Sequence, residues 1–455
     1  MSRNTQPTRR RFIGTLAGGA AAAATVTMSA ASREREETIP VRQQPASPND
    51  QIQLALVGAG IQGTGDTMTA LTVPGAKLVA VCDLYDGRLT DAKKRWGQDL
   101  FTTRDYREII NRPDVDALIV AVPDHWHKQI AVDTLGKNKS VYLEKPMVQQ
   151  LGEGEAVIAA QKTSKGILQV GSQGMSSLSN EKAKELLAAG AIGKLLYAEG
   201  FWARNSPSGA WQYAIPPDAS EQTLDWDKFL GATAKRPYDP LRFFRWRNYK
   251  DYGTGVCGDL FVHLFSSLHF ITGSMGPTTI MASGGLRFWK DGRDVPDVML
   301  GMFDYPETPA HSPFSLSLRV NFVDGTSGNT FLRMVGTGGS MDVGFDNEVT
   351  VKYQKTWDPL KATQGDFRSN PEPDARKDIV PAANIVYRAE QGYKGAHYDH
   401  FSNWFRAIRT GGKVVEDPVF GYRAAAPALA CNLSYYEKRA VYWDPVAMKV
   451  VGTGK

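Results

Sequence analysis

Three groups of residues in this chain have types and spacings suited to chemistry. The first is Gly58-Ala59-Gly60-Ile61-Gln62-Gly63, a G-x-G-x-x-G run with Asp83 twenty residues past its last glycine. Gly58 permits a tight turn, Gly60 lets backbone approach a pyrophosphate, and Gly63 lets a helix pack closely on a strand. With Ile61 and Gln62 the run opens a helix whose free N–H groups and dipole favour phosphate. Asp83 can accept hydrogen bonds from both hydroxyls of an adenine-side ribose and would repel a 2′-phosphate. That favours NAD over NADP, and nearby Arg88 softens the preference.

The second group is Pro123-Asp124-His125-Trp126-His127 with Glu144-Lys145-Pro146. Each follows an apolar run, at the strand end where ligands gather in open α/β sheets. Pro123, His127, Glu144 and Lys145 are thus expected beside a cofactor, with Lys145 near its reactive ring. The third group is Asp259-x-x-x-His263. On a helix, residues four apart share a face, so Asp259 can orient His263 and stabilise its protonated form. Such a histidine titrates near neutrality and can take a hydroxyl proton. Between residues 201 and 252 aromatics are dense, with Arg204, Arg242, Arg245 and Arg247 interleaved. Aromatic faces and guanidinium donors suit sugars; Trp202, Arg245 and Tyr249 are the substrate-binding candidates.

The elements that must position these groups are legible as pattern. Apolar runs at Ile52–Val57, Ala76–Cys82, Asp116–Val122 and Ser140–Leu143 alternate with helix-length segments Gln62–Leu71, Arg88–Trp96 and Lys128–Gly136. This predicts parallel βαβ units over 51–172. Beyond it, six strand-like segments between 279 and 353 lack intervening helices. They predict a large, mainly antiparallel open sheet within a substrate-binding and oligomerisation domain over 173–445. Helices are expected at Asn180–Ala189, Leu260–Ile271, Tyr398–Thr410 and Gly421–Lys438. Residues 32–50 read as a linker and 357–395 as an exposed loop. The fold class is α/β: a Rossmann domain followed by an α+β domain.

Four positive charges of the net +5 sit in residues 1–31, as Arg3, Arg9, Arg10 and Arg11 without an acid, leaving +1 for the rest. A nucleic-acid partner is therefore not expected. Arg9-Arg10-Arg11-Phe12, a Gly/Ala-rich run and Ser29-Ala30-Ala31 describe a twin-arginine signal peptide over 1–31, hence export through that machinery to the periplasm. No later stretch is long and apolar enough for a membrane span. Cys82, Cys257 and Cys431 are odd in number and far apart, which suits buried thiols rather than a disulfide framework. No Cys/His spacing suggests a metal.

Taken in order, GAGIQG, Asp83, Pro123…His127, Glu144-Lys145-Pro146, Gly190-x-x-Gly193 and Gly255-x-x-x-Asp259-x-x-x-His263 resemble the Gfo/Idh/MocA oxidoreductase family over most of 51–445. The resemblance implies a lysine (Lys145) holding the substrate hydroxyl near a nicotinamide, a histidine (His263) as acid/base, an aspartate (Asp259) supporting it, and often a cis peptide before Pro146. Ser266 departs from an acid frequent in that family. The expected function is hydride transfer between tightly bound NAD (or NADP) and a sugar or polyol, with the cofactor loaded before export and retained. An alternative is an NAD-dependent glycosidase or lyase acting by transient oxidation, elimination and re-reduction. Related proteins commonly pair through the open sheet, so a homo-oligomer is expected.

Overall fold

The structure is a computed structural model and describes residues 34–41, 51–325, 331–344, 347–354 and 381–452. The expected signal peptide and much of the expected linker lie outside the described residues. Within that linker Glu34–Ile39 forms a strand, β1.

Short, branched, apolar runs make the first sheet. Its strands are β2 (Ile52–Val57), β3 (Ala76–Cys82), β4 (Phe101–Thr103), β5 (Ala117–Val120), β6 (Ser140–Glu144) and β7 (Leu168–Gly171). Their order is β4-β3-β2-β5-β6-β7, and every pairing is parallel. All of β5 and β6 is buried, as a sheet covered on both faces requires. Ala55, Val57, Leu118 and Val120 enter one core cluster. Their strand neighbours Leu54, Leu56 and Ile119 enter another, with Phe401, Trp404 and Phe405 of the helix Ala396–Thr410. Strand β5 is shorter than expected at both ends; Asp116 just before it accepts from the Gln53 backbone N–H at 2.8 Å. The short β4 leaves no mark in the sequence pattern because three residues carry no period.

The second sheet comprises β1, β8 (Leu195–Ala203), β9 (Thr279–Gly285), β10 (Val298–Tyr305), β11 (Phe314–Asn321), β12 (Phe331–Gly336), β13 (Gly339–Gly344), β14 (Glu348–Gln354), β15 (Pro381–Ala389), β16 (Val441–Asp444) and β17 (Lys449–Val450). The order is β1-β15-β14-β13-β12-β8-β11-β10-β9-β16-β17. The pairs β1–β15 and β8–β11 are parallel and the others antiparallel. Strand β10 alternates strictly. Met299, Gly301, Phe303 and Tyr305 are buried, while Leu300, Met302 and Asp304 are exposed. The buried face packs on the helices Val262–Thr272 and Pro418–Glu437, as Phe265 against Phe303 illustrates.

Two expectations are corrected here. Residues 34–39 and 381–389, read as linker and loop, pair with each other at the sheet edge, where backbone bonding supplies what their polar composition concealed. Residues 355–380 of that expected loop lie outside the described residues. The segment between β8 and the Val262–Thr272 helix folds back onto the first sheet's strand ends. Tyr85 bridges Leu224, Asp225 N donates to Leu84 O at 2.9 Å, and Tyr85 packs with Trp226, Phe229, Phe243 and Phe244.

Candidate active site

The glycine run forms the expected β2-to-helix turn. Gly58 has φ +92° and a Cβ there would meet the Ala121 carbonyl oxygen at 2.5 Å, while one on Gly63 would strike the Gly58 oxygen at 2.1 Å. Gly60 meets only the Arg88 guanidinium, at 3.7 Å or beyond. This leaves bare backbone at the start of the helix Ile61–Thr72. The turn borders a cavity of about 680 Å³ lined by Gly58–Gln62, Asp83, Arg88, Pro123, Trp126, Tyr213 and Arg247 among others. Residues 213–247 therefore roof what would otherwise be an open cleft at the strand ends.

Asp83 lines the cavity but is otherwise engaged than expected. Its Oδ2 accepts from Ala59 N at 2.8 Å and its Oδ1 from Tyr85 N at 3.0 Å. Arg88 Nη1 stands 3.4 Å away and its guanidinium lies between the Phe243 and Phe244 rings, 5.4 Å from each. Asp83 thus staples the glycine turn to the end of β3, and Arg88 is the more accessible of the two.

Lys145 follows β6 directly, and its bond to Pro146 is cis. Its ammonium donates to Asp259 Oδ1 at 3.0 Å and to the Asp259 carbonyl at 2.9 Å. Arg247 Nε reaches the same Oδ1 at 3.3 Å. Asp259 does not sit on a regular α-helix: Cys257–Phe261 is a π turn, and α geometry resumes at Val262. Such turns loosen the i→i+4 ladder and occur often at functional sites, and here a carbonyl of the turn serves an outside cation. Burial pushes the Asp259 carboxyl up, but Lys145, Arg247 and Arg204 outweigh it and hold the group well below the usual carboxylate range.

His263 stands one turn further. Burial and then the Lys145 charge pull its pKa well below the ordinary imidazole value, against the pull of Asp259. The expected titration near neutrality is therefore corrected: burial and the Lys145 charge disfavour the protonated ring. Trp202, one of the substrate candidates, lies 5.2 Å from it, centroid to centroid.

Other expected residues do not join this group. His127 is buried, with Nδ1 2.7 Å from the Pro146 carbonyl and Nε2 2.9 Å from that of Val122. Burial lowers its pKa to about 4, so the neutral ring donates to one of the two at a time. It ties the Pro123 and Pro146 turns together rather than facing the cavity. Glu144 turns inward: Gln173 donates to it at 2.8 Å, and burial and Asp66 raise its pKa strongly. Arg245 is spent on the Tyr213 carbonyl at 2.9 Å and the Gln212 side chain at 2.6 Å. Tyr249 is buried, with the Arg242 guanidinium over its ring. Burial and Arg–aromatic packing thus displace both from a substrate role.

The sequence pattern singles out neither Arg247 nor Asp124 as a site residue. Arg247 is one of four interleaved arginines, and nothing in the sequence pattern ranks it above Arg245. Asp124 lies within the Pro123…His127 segment. Its Oδ2 accepts from Thr254 N at 2.9 Å and Thr254 Oγ1 at 2.8 Å, and burial together with Asp259 raises its pKa to about 7. The three cysteines are buried and free, as expected.

A mononucleotide-binding parallel sheet with a glycine turn, and a charged cluster at its strand ends, define a dinucleotide-fold protein. Residues 52–172 match the family model described as "Oxidoreductase family, NAD-binding Rossmann fold" (GFO_IDH_MocA). The inositol 2-dehydrogenase of Salmonella typhimurium is 31% identical over 151 residues, 33% of this chain and 45% of that protein. An α-N-acetylgalactosaminidase of Shewanella oneidensis is 26% identical over 184 residues, 35% of this chain and 39% of that protein. The chain thus matches less than half the length of these relatives. A levoglucosan dehydrogenase solved with NADH and levoglucosan superposes with a TM-score of 0.62 at 20% identity, over 86% of this chain and 99% of that one. That likeness bears on the fold, and it covers both sheets.

Proposed function

We propose that this chain is an oxidoreductase that transfers hydride between a bound nicotinamide cofactor, NAD in preference to NADP, and a hydroxyl or ketone of a sugar or polyol. One observation carries the reading. Lys145 at the first sheet's strand end and Asp259 of the second part form a buried ion pair, which Arg247 extends to the cavity wall. The bare glycine turn, the helix start and the roofed cavity fit a dinucleotide. Gly58–Gln62 would hold its pyrophosphate, and Asp83 and Arg88 would flank its adenosine ribose. When bound, the nicotinamide supplies the hydride-accepting carbon.

The chain's own residues do the rest. Asp259 fixes the Lys145 ammonium, which donates to the substrate hydroxyl and favours its ionised form. Neutral His263 takes the hydroxyl proton. Trp202 offers an apolar face to ring C–H groups. The roof excludes water. His127 holds the turns that carry Pro123 and Lys145.

The test is purification under native conditions, denaturation, and identification of any released nucleotide, followed by absorbance at 340 nm with a sugar and polyol panel. No released nucleotide and no binding of added NADH would end this reading. The relative named as an N-acetylgalactosaminidase motivates the second reading, glycoside cleavage through transient oxidation. Glycoside cleavage without net NADH would favour it.

The leader at 1–31 supports export by the twin-arginine route, with the cofactor loaded beforehand and kept under the roof. Cell fractionation of the intact protein, with and without Arg9→Lys and Arg10→Lys, tests this. No helix among the described residues is long and apolar enough to cross a membrane. The open sheet face, with Met281 and Met302 in register and Leu300 and Tyr197 exposed nearby, supports self-association. Light scattering at micromolar concentration measures it.

A further inference from the structure

We propose that the substrate of this site is an anionic sugar, carrying a carboxylate or a comparable oxyanion, and that Arg204 is the residue that selects it. The proposal deepens the reading of the Lys145–Asp259–His263 group as the substrate site, and rests on it.

Three cations converge there: Lys145, Arg247 and Arg204. Asp259 answers them, and it is shared. Lys145 and Arg247 both hold the same carboxylate oxygen, at 3.0 and 3.3 Å. Arg204 has no carboxylate of its own among the described residues. Among the described residues its side chain makes one hydrogen bond, a long one, from Nη1 to the Gly209 carbonyl at 3.4 Å. Its guanidinium stands 5.2 Å over the Trp202 ring, and that ring stands 5.2 Å from His263. The side chain is half-buried. Burial lowers its pKa, Asp259 and Tyr213 oppose this, and Arg247 adds to it. Tyr213 acts on both arginines and lines the cavity.

The charge balance is decisive. A half-buried guanidinium costs desolvation energy that only a partner recovers. Asp124 and Glu144, the other acids nearby, are biased toward the neutral form by burial. An oxidised nicotinamide would add further positive charge. A neutral hexose offers no counter-charge, whereas a carboxylate on the ring matches the planar fork of Arg204 and can accept two parallel hydrogen bonds from it. Trp202 would meanwhile lie against the sugar face.

The experiment is isothermal titration of the full chain saturated with NADH. The probes are matched pairs: glucose and glucuronate, galactose and galacturonate, mannose and mannuronate, with glucose 6-sulfate as a further arm. We expect at least one acidic member to bind tenfold or more tightly than its neutral partner. Arg204→Met should reduce that preference to within twofold. Arg204→Lys should keep part of the preference. Raising NaCl from 50 to 500 mM should weaken the acidic ligand selectively in the unmodified protein, which keeps the test alive if the Met variant fails to fold. Preference for a uronate assigns a carboxylate, and preference for the sulfate assigns a sulfate ester. Neutral sugars binding as tightly as acidic ones, failure of every acidic probe to bind, or a preference that survives Arg204→Met overturns the proposal. Tight uronate binding without NADH formation in turnover assays would instead sink the oxidoreductase reading and leave this one standing.

Discussion

Replacing Asp259 with Asn removes one charge at constant shape and tests the ion-pair core directly. In the folded chain Asp259 Oδ1 lies 3.0 Å from Lys145 Nζ, and the two side chains are 9% and 10% exposed. Arg247 Nε lies 3.3 Å from the same oxygen. Each pair has a gross attraction of about 5 kcal/mol at an effective dielectric near 20. Desolvation offsets most of that. A substitution reads the cost of leaving the partner cations buried without a counter-charge, about 3–5 kcal/mol. With an unfolding entropy of about 2.1 cal/mol/K per residue, the melting temperature should fall by roughly 3–6 °C for a chain of this size. The assay is calorimetry or urea unfolding of the dinucleotide-free protein at pH 7, with Lys145→Met and the double variant alongside. Because the two sites touch, the double variant should lose less than the sum of the singles by about 1 kcal/mol or more. The Asp259 carboxyl is held below its usual range, so its contribution is present above the unfolded value of about 3.9 and is lost as pH falls through the lower folded value. The gap between parent and Asn variant should therefore be constant above about pH 5 and close in stronger acid. An Asn variant as stable as the parent, or strict additivity in the double, refutes the reasoning.

Three further outcomes are expected. Gly63→Ala forces a Cβ to 2.1 Å from the Gly58 oxygen. It should cost about 1–3 kcal/mol or more in stability and weaken NADH binding, followed by fluorescence, at least tenfold. Tyr85→Phe removes the 2.5 Å hydrogen bond from the Tyr85 hydroxyl to Asp218 that fastens the roof. A loss of about 1 kcal/mol should speed dinucleotide release roughly fivefold in a stopped-flow displacement assay, and unchanged release would show that the roof is not the gate. Asp124→Asn keeps the acceptor for Thr254 but removes a carboxyl whose folded pKa is raised to about 7. As pH rises from about 4 to 7 the unfolded chain gives up a proton that the folded one retains, so the parent loses stability relative to Asn. Melts should nearly coincide at pH 4 and favour the variant at pH 8; an equal gap at both would remove Asp124 from the charge network.

Much of the site was legible because its parts sit at punctuation. Gly58, Gly63 and the Lys145–Pro146 turn each follow an apolar run, and a strand end has few places to put its next residue. The parallel sheet was equally plain, since β5 and β6 are buried on both faces and composition alone marks them. What escaped were features that depend on a partner distant in the chain. Strand β15 lies in a stretch rich in proline and charge, and it is a strand because β14 and β1 flank it. Asp83 read as a ribose acceptor because its place after β3 is visible. The backbone N–H of Ala59 that claims it, 24 positions earlier, is a matter of tertiary approach.

The choice between Arg245 and Arg247 shows where sequence reasoning stops for a physical cause. Both flank Trp246, with the same type and the same aromatic company. The helix Pro240–Phe244 ends just before Arg245, and Trp246–Asn248 forms a single 3₁₀ turn. Arg245 lies between the two, with φ −118° and ψ 35°, and belongs to neither, whereas Arg247 sits inside the 3₁₀ turn. One arginine is then sent to the Gln212–Tyr213 loop and the other to Asp259. No local composition distinguishes the two. The register is set instead by Asp239, which caps the helix through the Leu241 and Arg242 N–H groups, and by Phe243 and Phe244, which must reach the roof cluster. Which arginine reaches Asp259 is therefore decided by packing around a short helix whose end no periodicity could have located.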